Sequence, residues 1–68
     1  MHEDWQKVYT TDQSYKAELV KGMLKEHEIE SVIFNRQDRA YVMIGEIEVY
    51  VKKDDVMRAI NLIEKQDI

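Results

Sequence analysis

His27 lies among Glu26, Glu28 and Glu30, an imidazole and three carboxylates that are the ligand types of zinc or of a harder cation. A metal needs several ligands converging on one point, and this spacing brings no two onto one helical face with a third in reach. The group therefore reads as a solvated acidic helix end. His2 stands apart near the N-terminus. Ser14 and Ser31 are the two serines, and neither is in a nucleophile-elbow setting. Gly22 falls inside a helical pattern and Gly45 stands singly before a strand, so the sequence forms no phosphate loop. The chain has no cysteine, which removes thiolate and disulfide chemistry. The expectation is a non-enzymatic chain with no metal and no cofactor.

Recognition chemistry is better represented. Trp5, Lys7 and Tyr9 alternate along one extended stretch, and Glu46, Glu48 and Tyr50 along another. Paired in a sheet, these residues would share one face, where aromatic area among charges suits contact with another chain. Trp5, Tyr9, Glu48 and Tyr50 are the candidates for partner binding. A second group is the stretch NRQDRAY, from Asn35 to Tyr41. Its Arg36 and Arg39, with Lys53 near the other end of the same hairpin, suit a carboxylate or phosphate ligand, and Asn35, Asp38 and Tyr41 complete the candidate loop. The alternative function is thus a sensor of a small anion or nucleotide. RNA binding is a third reading, because stacking aromatics on a first and third strand are how some sheets hold bases. It is disfavoured here, since Glu46 and Glu48 would stand beside the phosphates and the net charge is −4.

The elements that must position these residues follow from periodicity. WQKVYT (Trp5 to Thr10) is strand-like, with Val8 as its one obvious core residue. Thr11 and Asp12 are the better caps for the helix that follows, whose Tyr15, Ala17, Leu19, Val20, Met23 and Leu24 form an apolar stripe. Lys25 and His27 close it. Glu28 stands where glycine or asparagine ends a helix at least cost, so the exit is either strained by about 1 kcal/mol or not left-handed.

A second strand, Ile29 to Asn35, sets Val32 and Phe34 on one side and Ser31 and Ile33 on the other, with the core side undecided. Residues 41–44 are compatible with an extra strand segment, with Gly45 as a bulge. In the third strand, Glu46 to Val51, Ile47, Val49 and Val51 share one face, the pattern of a sheet covered on one side. Val56, Ala59, Ile60 and Ile63 then form the stripe of a second helix, opened by Asp54 and Asp55 and closed by Lys65.

Strand, helix, strand, strand, helix is an α+β order. A right-handed crossover makes the first two strands parallel, and the third fits antiparallel between them with both helices on one face. This is a ferredoxin-like split βαβ, βαββα, lacking its fourth strand, with the outer edge of the first strand unpaired. At 68 residues it is one domain, residues 1–68, with residues 1–4 expected to fray. The longest apolar run, YVMIG, is far short of the roughly 20 residues a membrane helix needs. With no cysteine and no secretory leader pattern at the N-terminus, a cytoplasmic location is expected.

The residues NRQDRAYVMIGEIEVYV followed by DDVMRAI resemble those of small bacterial domains described as signal-transducing proteins and related in fold to the PII (GlnB-like) nitrogen regulators. Asn35, Asp38, Tyr41, Gly45, Glu46, Ile47 and Glu48 match that pattern, and VYTTDQSYKAELVKGMLKEHEI is similar over the first strand and helix. Two positions depart from it: Lys52 stands in place of a usual proline, and Glu28 in place of a helix-ending glycine or asparagine. The resemblance implies a βαββα domain with a regulatory or binding role and no catalytic residue. PII proteins bind nucleotide through a long loop after the second strand, whereas the loop here is short and matches none of their phosphate-binding residues. The partner expected is therefore another protein or a second copy of the chain.

Overall fold

Aliphatic residues at every second position from Ile47 to Val51 fall on one face of a pleated strand. The structure, a computed structural model that describes residues 4–35 and 46–66, buries all three of them. They belong to β3 (Ile47–Lys52), which lies between β1 (Trp5–Thr11) and β2 (Ser31–Asn35) in a three-stranded sheet. Both outer strands pair antiparallel to β3, so β1 and β2 run the same way, as the crossover argument requires. The crossover is α1 (Ser14–Glu26), and α2 (Val56–Gln66) follows β3. The fold is the α+β, ferredoxin-like split βαβ, with no fourth strand among the described residues. Ala17, Val20 and Leu24 of α1, with Ala59 and Ile63 of α2, join Ile47, Val49 and Val51 and the connecting Ile29 in one buried cluster. Each of the large aliphatics contributes about 1.5–3 kcal/mol by leaving water.

The helix stripes are narrower than their sequences suggest. Tyr15 and Leu19 of α1 are 61% and 55% exposed. At 100° per residue they project opposite Ala17, Val20 and Leu24. In α2, Ile60 is only half-buried, and Leu62 packs against the core instead. The start of α1 also differs from expectation. Gln13 occupies the N-cap position without a side-chain cap, and Thr11, still in β1, accepts the Gln13 N–H on its Oγ1 at 3.1 Å. Ahead of α2, Asp54 and Asp55 lie in a single 3-10 turn, Lys53–Asp55.

At the other end of α1 the left-handed exit forms despite its residue. Glu28 has φ 62°. Its N–H donates to the Lys25 carbonyl at 2.9 Å, and the Ile29 N–H donates to the Leu24 carbonyl at 2.9 Å. These are the two bonds of a Schellman motif, and the hydrophobic contact that usually accompanies it joins Ile29 to Leu24, both fully buried. That contact turns the chain from helix into β2, and the strain in Glu28 is its cost.

One irregularity decides which side chains reach the open face. Opposite β3, Lys7 pairs with Tyr50 and Tyr9 pairs with Val49, so Val8 is an extra residue, a β-bulge. Past the bulge the alternation of β1 is reversed. Tyr9 and Thr11 lie on the helix side, across from Val49 and Ile47, and Thr10 lies on the open side across from Glu48. The expectation that Tyr9 shares a face with Trp5 is therefore corrected, and Tyr9 packs against the buried cluster.

Candidate functional site

Both helices lie on one face of the sheet, and the register fixes which described residues stand on the other. Trp5 and Lys52 form one row, Lys7, Tyr50 and Val32 the next, and Thr10, Glu48 and Phe34 the third. β2 thus turns Ser31 and Ile33 toward the helices and Val32 and Phe34 outward, which settles the side that the sequence left undecided. Val32 and Phe34 are 44% and 54% exposed. Trp5, Val32, Phe34 and Tyr50 line a groove of about 620 Å³. Phe34 meets Tyr50 edge to face, with ring centroids 6.4 Å apart, and Lys52 Nζ lies 5.8 Å from the Trp5 ring centroid. Both arrangements are ones that a ring quadrupole favours.

The charges on this face pair with one another. Lys7 Nζ is 3.4 Å from Glu48 Oε2, the Tyr50 hydroxyl donates to Glu48 Oε1 at 3.0 Å, and Lys52 Nζ is 3.6 Å from Glu30 Oε1 just before β2. Glu48 is only 3% exposed although α1 and α2 lie on the other side of the sheet. As a residue of the central strand it is walled by Thr10 and Phe34 on either side and by Lys7 and Tyr50 along the next row. A buried carboxylate needs such donors.

Four of the residues expected on this face were the candidates for partner binding. Trp5, Glu48 and Tyr50 lie there, with Glu48 sunk beneath its neighbours, while Tyr9 is on the opposite side. The loss of Tyr9 separates the two tyrosines that an RNA-stacking surface would have used. Val32 and Phe34 are the site residues that sequence reasoning missed, because SVIFN is apolar on both sides of the strand and carries no alternation to read. Of the loop candidates, Asn35 ends β2 and is exposed, and Lys53 opens the 3-10 turn and is exposed. Arg36, Asp38, Arg39 and Tyr41 lie outside the described residues, as does the suggested strand at 41–44.

A second recess, of about 390 Å³, lies where α1 ends, lined by Lys21, Lys25, Glu28, Ile29, Glu30 and Ser31. Its cations and carboxylates oppose each other, so it favours neither sign of ligand. Among the described residues, no cluster of three or more His, Cys, Asp or Glu side chains could hold a metal ion, His27 included. No helix among them is long and apolar enough to cross a membrane.

The chain folds as a small α+β domain, a three-stranded split βαβ with an apolar groove on the face of the sheet away from its helices. The family described as "Putative prokaryotic signal transducing protein" matches residues 5–66, and the chain belongs to that family. No curated protein and no solved structure matches the chain.

Proposed function

We propose that this chain is a non-enzymatic regulatory module that acts by docking a polypeptide on its uncovered sheet face. The observation that carries the reading is the groove of Trp5, Val32, Phe34 and Tyr50, in which Val32 and Phe34 remain about half exposed. Apolar area of this kind, rimmed by charged residues, marks contact surfaces. Its lining binds through area and shape rather than through reactive groups. Membership of a signal-transducing family agrees with such a role. Kinship with the PII regulators and a cytoplasmic location belong to the same reading, the first supported by the βαββα order and the second by a cysteine-free sequence.

The outer edge of β1, beside which no other described strand lies, is the less suitable docking element. It carries the Val8 bulge and the Lys7 charge, both devices that discourage another strand from adding to an edge. The face is the better surface. A photo-reactive benzophenone side chain introduced at Val32 tests this in the producing cell, with the same group at Leu19 on the far side of α1 as the control. The expected result is a crosslinked polypeptide from position 32 that disappears with Phe34→Ser. Crosslinks that are equal at both positions, or indifferent to Phe34→Ser, would overturn the reading.

A further inference from the structure

We infer that the occupant of this groove is a second copy of the chain, packed face to face about a two-fold axis that passes through Tyr50. The inference rests on the docking role proposed above and adds its partner. The first argument is charge. The ion pairs described on the face are internal to the chain, Lys7 with Glu48 and Lys52 with Glu30. An acidic or basic partner segment gains no counter-ion there and loses hydration on arrival. The lining of the groove is itself uncharged, so what it accepts is another uncharged apolar surface, which the groove of a second copy supplies.

The second argument is symmetry. Trp5 lies opposite Lys52, one row to one side of Tyr50, and Phe34 lies opposite Glu48, one row to the other side. Trp5, Tyr50 and Phe34 therefore form a diagonal across three adjacent strands with Tyr50 at its midpoint. A two-fold axis in the plane of contact, perpendicular to that diagonal at Tyr50, brings Phe34 of each copy over Trp5 of the other. The exposed ring enters the partner's groove twice, which is the self-complementarity that an isologous contact requires. Sheets stacked this way keep a spacing of about 10 Å, which lets side chains from both faces interdigitate.

Size and net charge determine how the dimer behaves. Three strands of about six residues give a face about 14 Å wide and about 20 Å long, smaller than the roughly 800 Å² per partner of a stable protein contact. Association is therefore weak and concentration-dependent. Each copy carries a net charge of −4, so the copies repel at long range while their contact surfaces do not. Salt strengthens such a pair by screening, the opposite of its effect on a contact held by ion pairs.

Sedimentation equilibrium of the full chain over a wide concentration range tests the proposal. The expected result is a monomer–dimer equilibrium that tightens several-fold from about 50 to about 300 mM salt. Phe34→Ser weakens it about tenfold or more, while Leu19→Ser leaves it unchanged. Because Phe34 is exposed, the variant folds, and far-ultraviolet circular dichroism and the unfolding midpoint verify that it has. A monomer at every concentration overturns the second copy as partner, and so does a dimer broken by Leu19→Ser or loosened by salt. If the chain is monomeric and position 32 nevertheless crosslinks to a different polypeptide, the docking face stands and only the identity of its occupant fails. If neither association nor a Phe34-dependent crosslink is found, both readings fall.

Discussion

The Tyr50 hydroxyl donates a 3.0 Å hydrogen bond to Glu48 Oε1, joining two side chains two residues apart on the uncovered face of β3. Glu48 is buried there and also pairs with Lys7. Glu48→Ala removes the acceptor, leaves the Lys7 charge facing the sheet, and opens a gap under Phe34. The expected loss is about 1.5–3 kcal/mol, the range for a hydrogen bond to a charged group. Glu48→Gln keeps an acceptor for Tyr50 and loses the ion pair to Lys7, whose ammonium is half exposed and screened, so it costs less than Glu48→Ala. Urea unfolding of the two variants checks the order, and equal losses would contradict it.

Tyr9 and Phe34 exchange the roles that a plain alternation would give them. Tyr9 faces Val49 beneath the helices, whereas Phe34 is 54% exposed on the open side. Tyr9→Ala is expected to cost about 2–3 kcal/mol through lost core packing, and Phe34→Ala less than about 1 kcal/mol. Comparable unfolding free energies for the two variants would mean that the bulge at Val8 does not reverse the strand as described.

This exchange shows where the sequence could be read and where it could not. Ile47, Val49 and Val51 announced the covered face of β3 by strict alternation, and the order of elements then left one arrangement of three strands. The Val8 bulge has no glycine or other local mark, because it arises from how β1 meets β3 rather than from β1 alone. β2 has apolar residues on both sides, so the half of the site it supplies, Val32 and Phe34, became visible only once pairing with β3 assigned them a face. On α1, Tyr15 and Leu19 match the apolar spacing but fall outside the arc that a three-stranded sheet can cover. Tertiary geometry, which local pattern does not encode, decided each of these cases.

The helix exit was legible as a choice between two outcomes, and the chain takes the strained one. Glu28 holds φ 62° because Ile29 must reach the core beside Leu24. Glu28→Gly relieves the strain and is expected to stabilise the fold by about 1 kcal/mol, raising Tm by about 4–8 °C in a domain of this size. Glu28→Val, β-branched at a positive φ, should lower it. Calorimetry of both variants gives the sign directly, and a stabilising valine would sink the account.

Gly22 is mid-helix in α1, and a Cβ built there meets nothing within 4 Å. No crowding inside the chain accounts for a residue that costs a helix about 1 kcal/mol relative to alanine. Gly22→Ala should therefore stabilise the isolated domain by up to about 1 kcal/mol, measured by denaturant midpoint at an unchanged slope. A loss of stability would reveal a close approach at that point of the helix.

Arg58 ties the start of α2 to the end of α1. Its Nη2 donates to the His27 carbonyl at 3.0 Å, across 31 positions of sequence, while Nη1 lies 3.4 Å from Asp55 Oδ1. The His27 carbonyl is one of the groups that a helix end leaves without an intrahelical donor, so the arginine completes the cap that Glu28 begins. The guanidinium is exposed and its bonds are screened, so Arg58→Ala is expected to cost only about 0.5–1 kcal/mol globally. The local effect is sharper. The Glu28 and Ile29 amides, bonded to Lys25 and Leu24, should exchange with solvent several-fold faster in the variant, while amides in the centre of β3 change only as global stability does. Arg58→Lys supplies one donor in place of a fork and should fall between the two. Uniform acceleration throughout the chain would mean that Arg58 acts on overall stability and not on the helix end it touches.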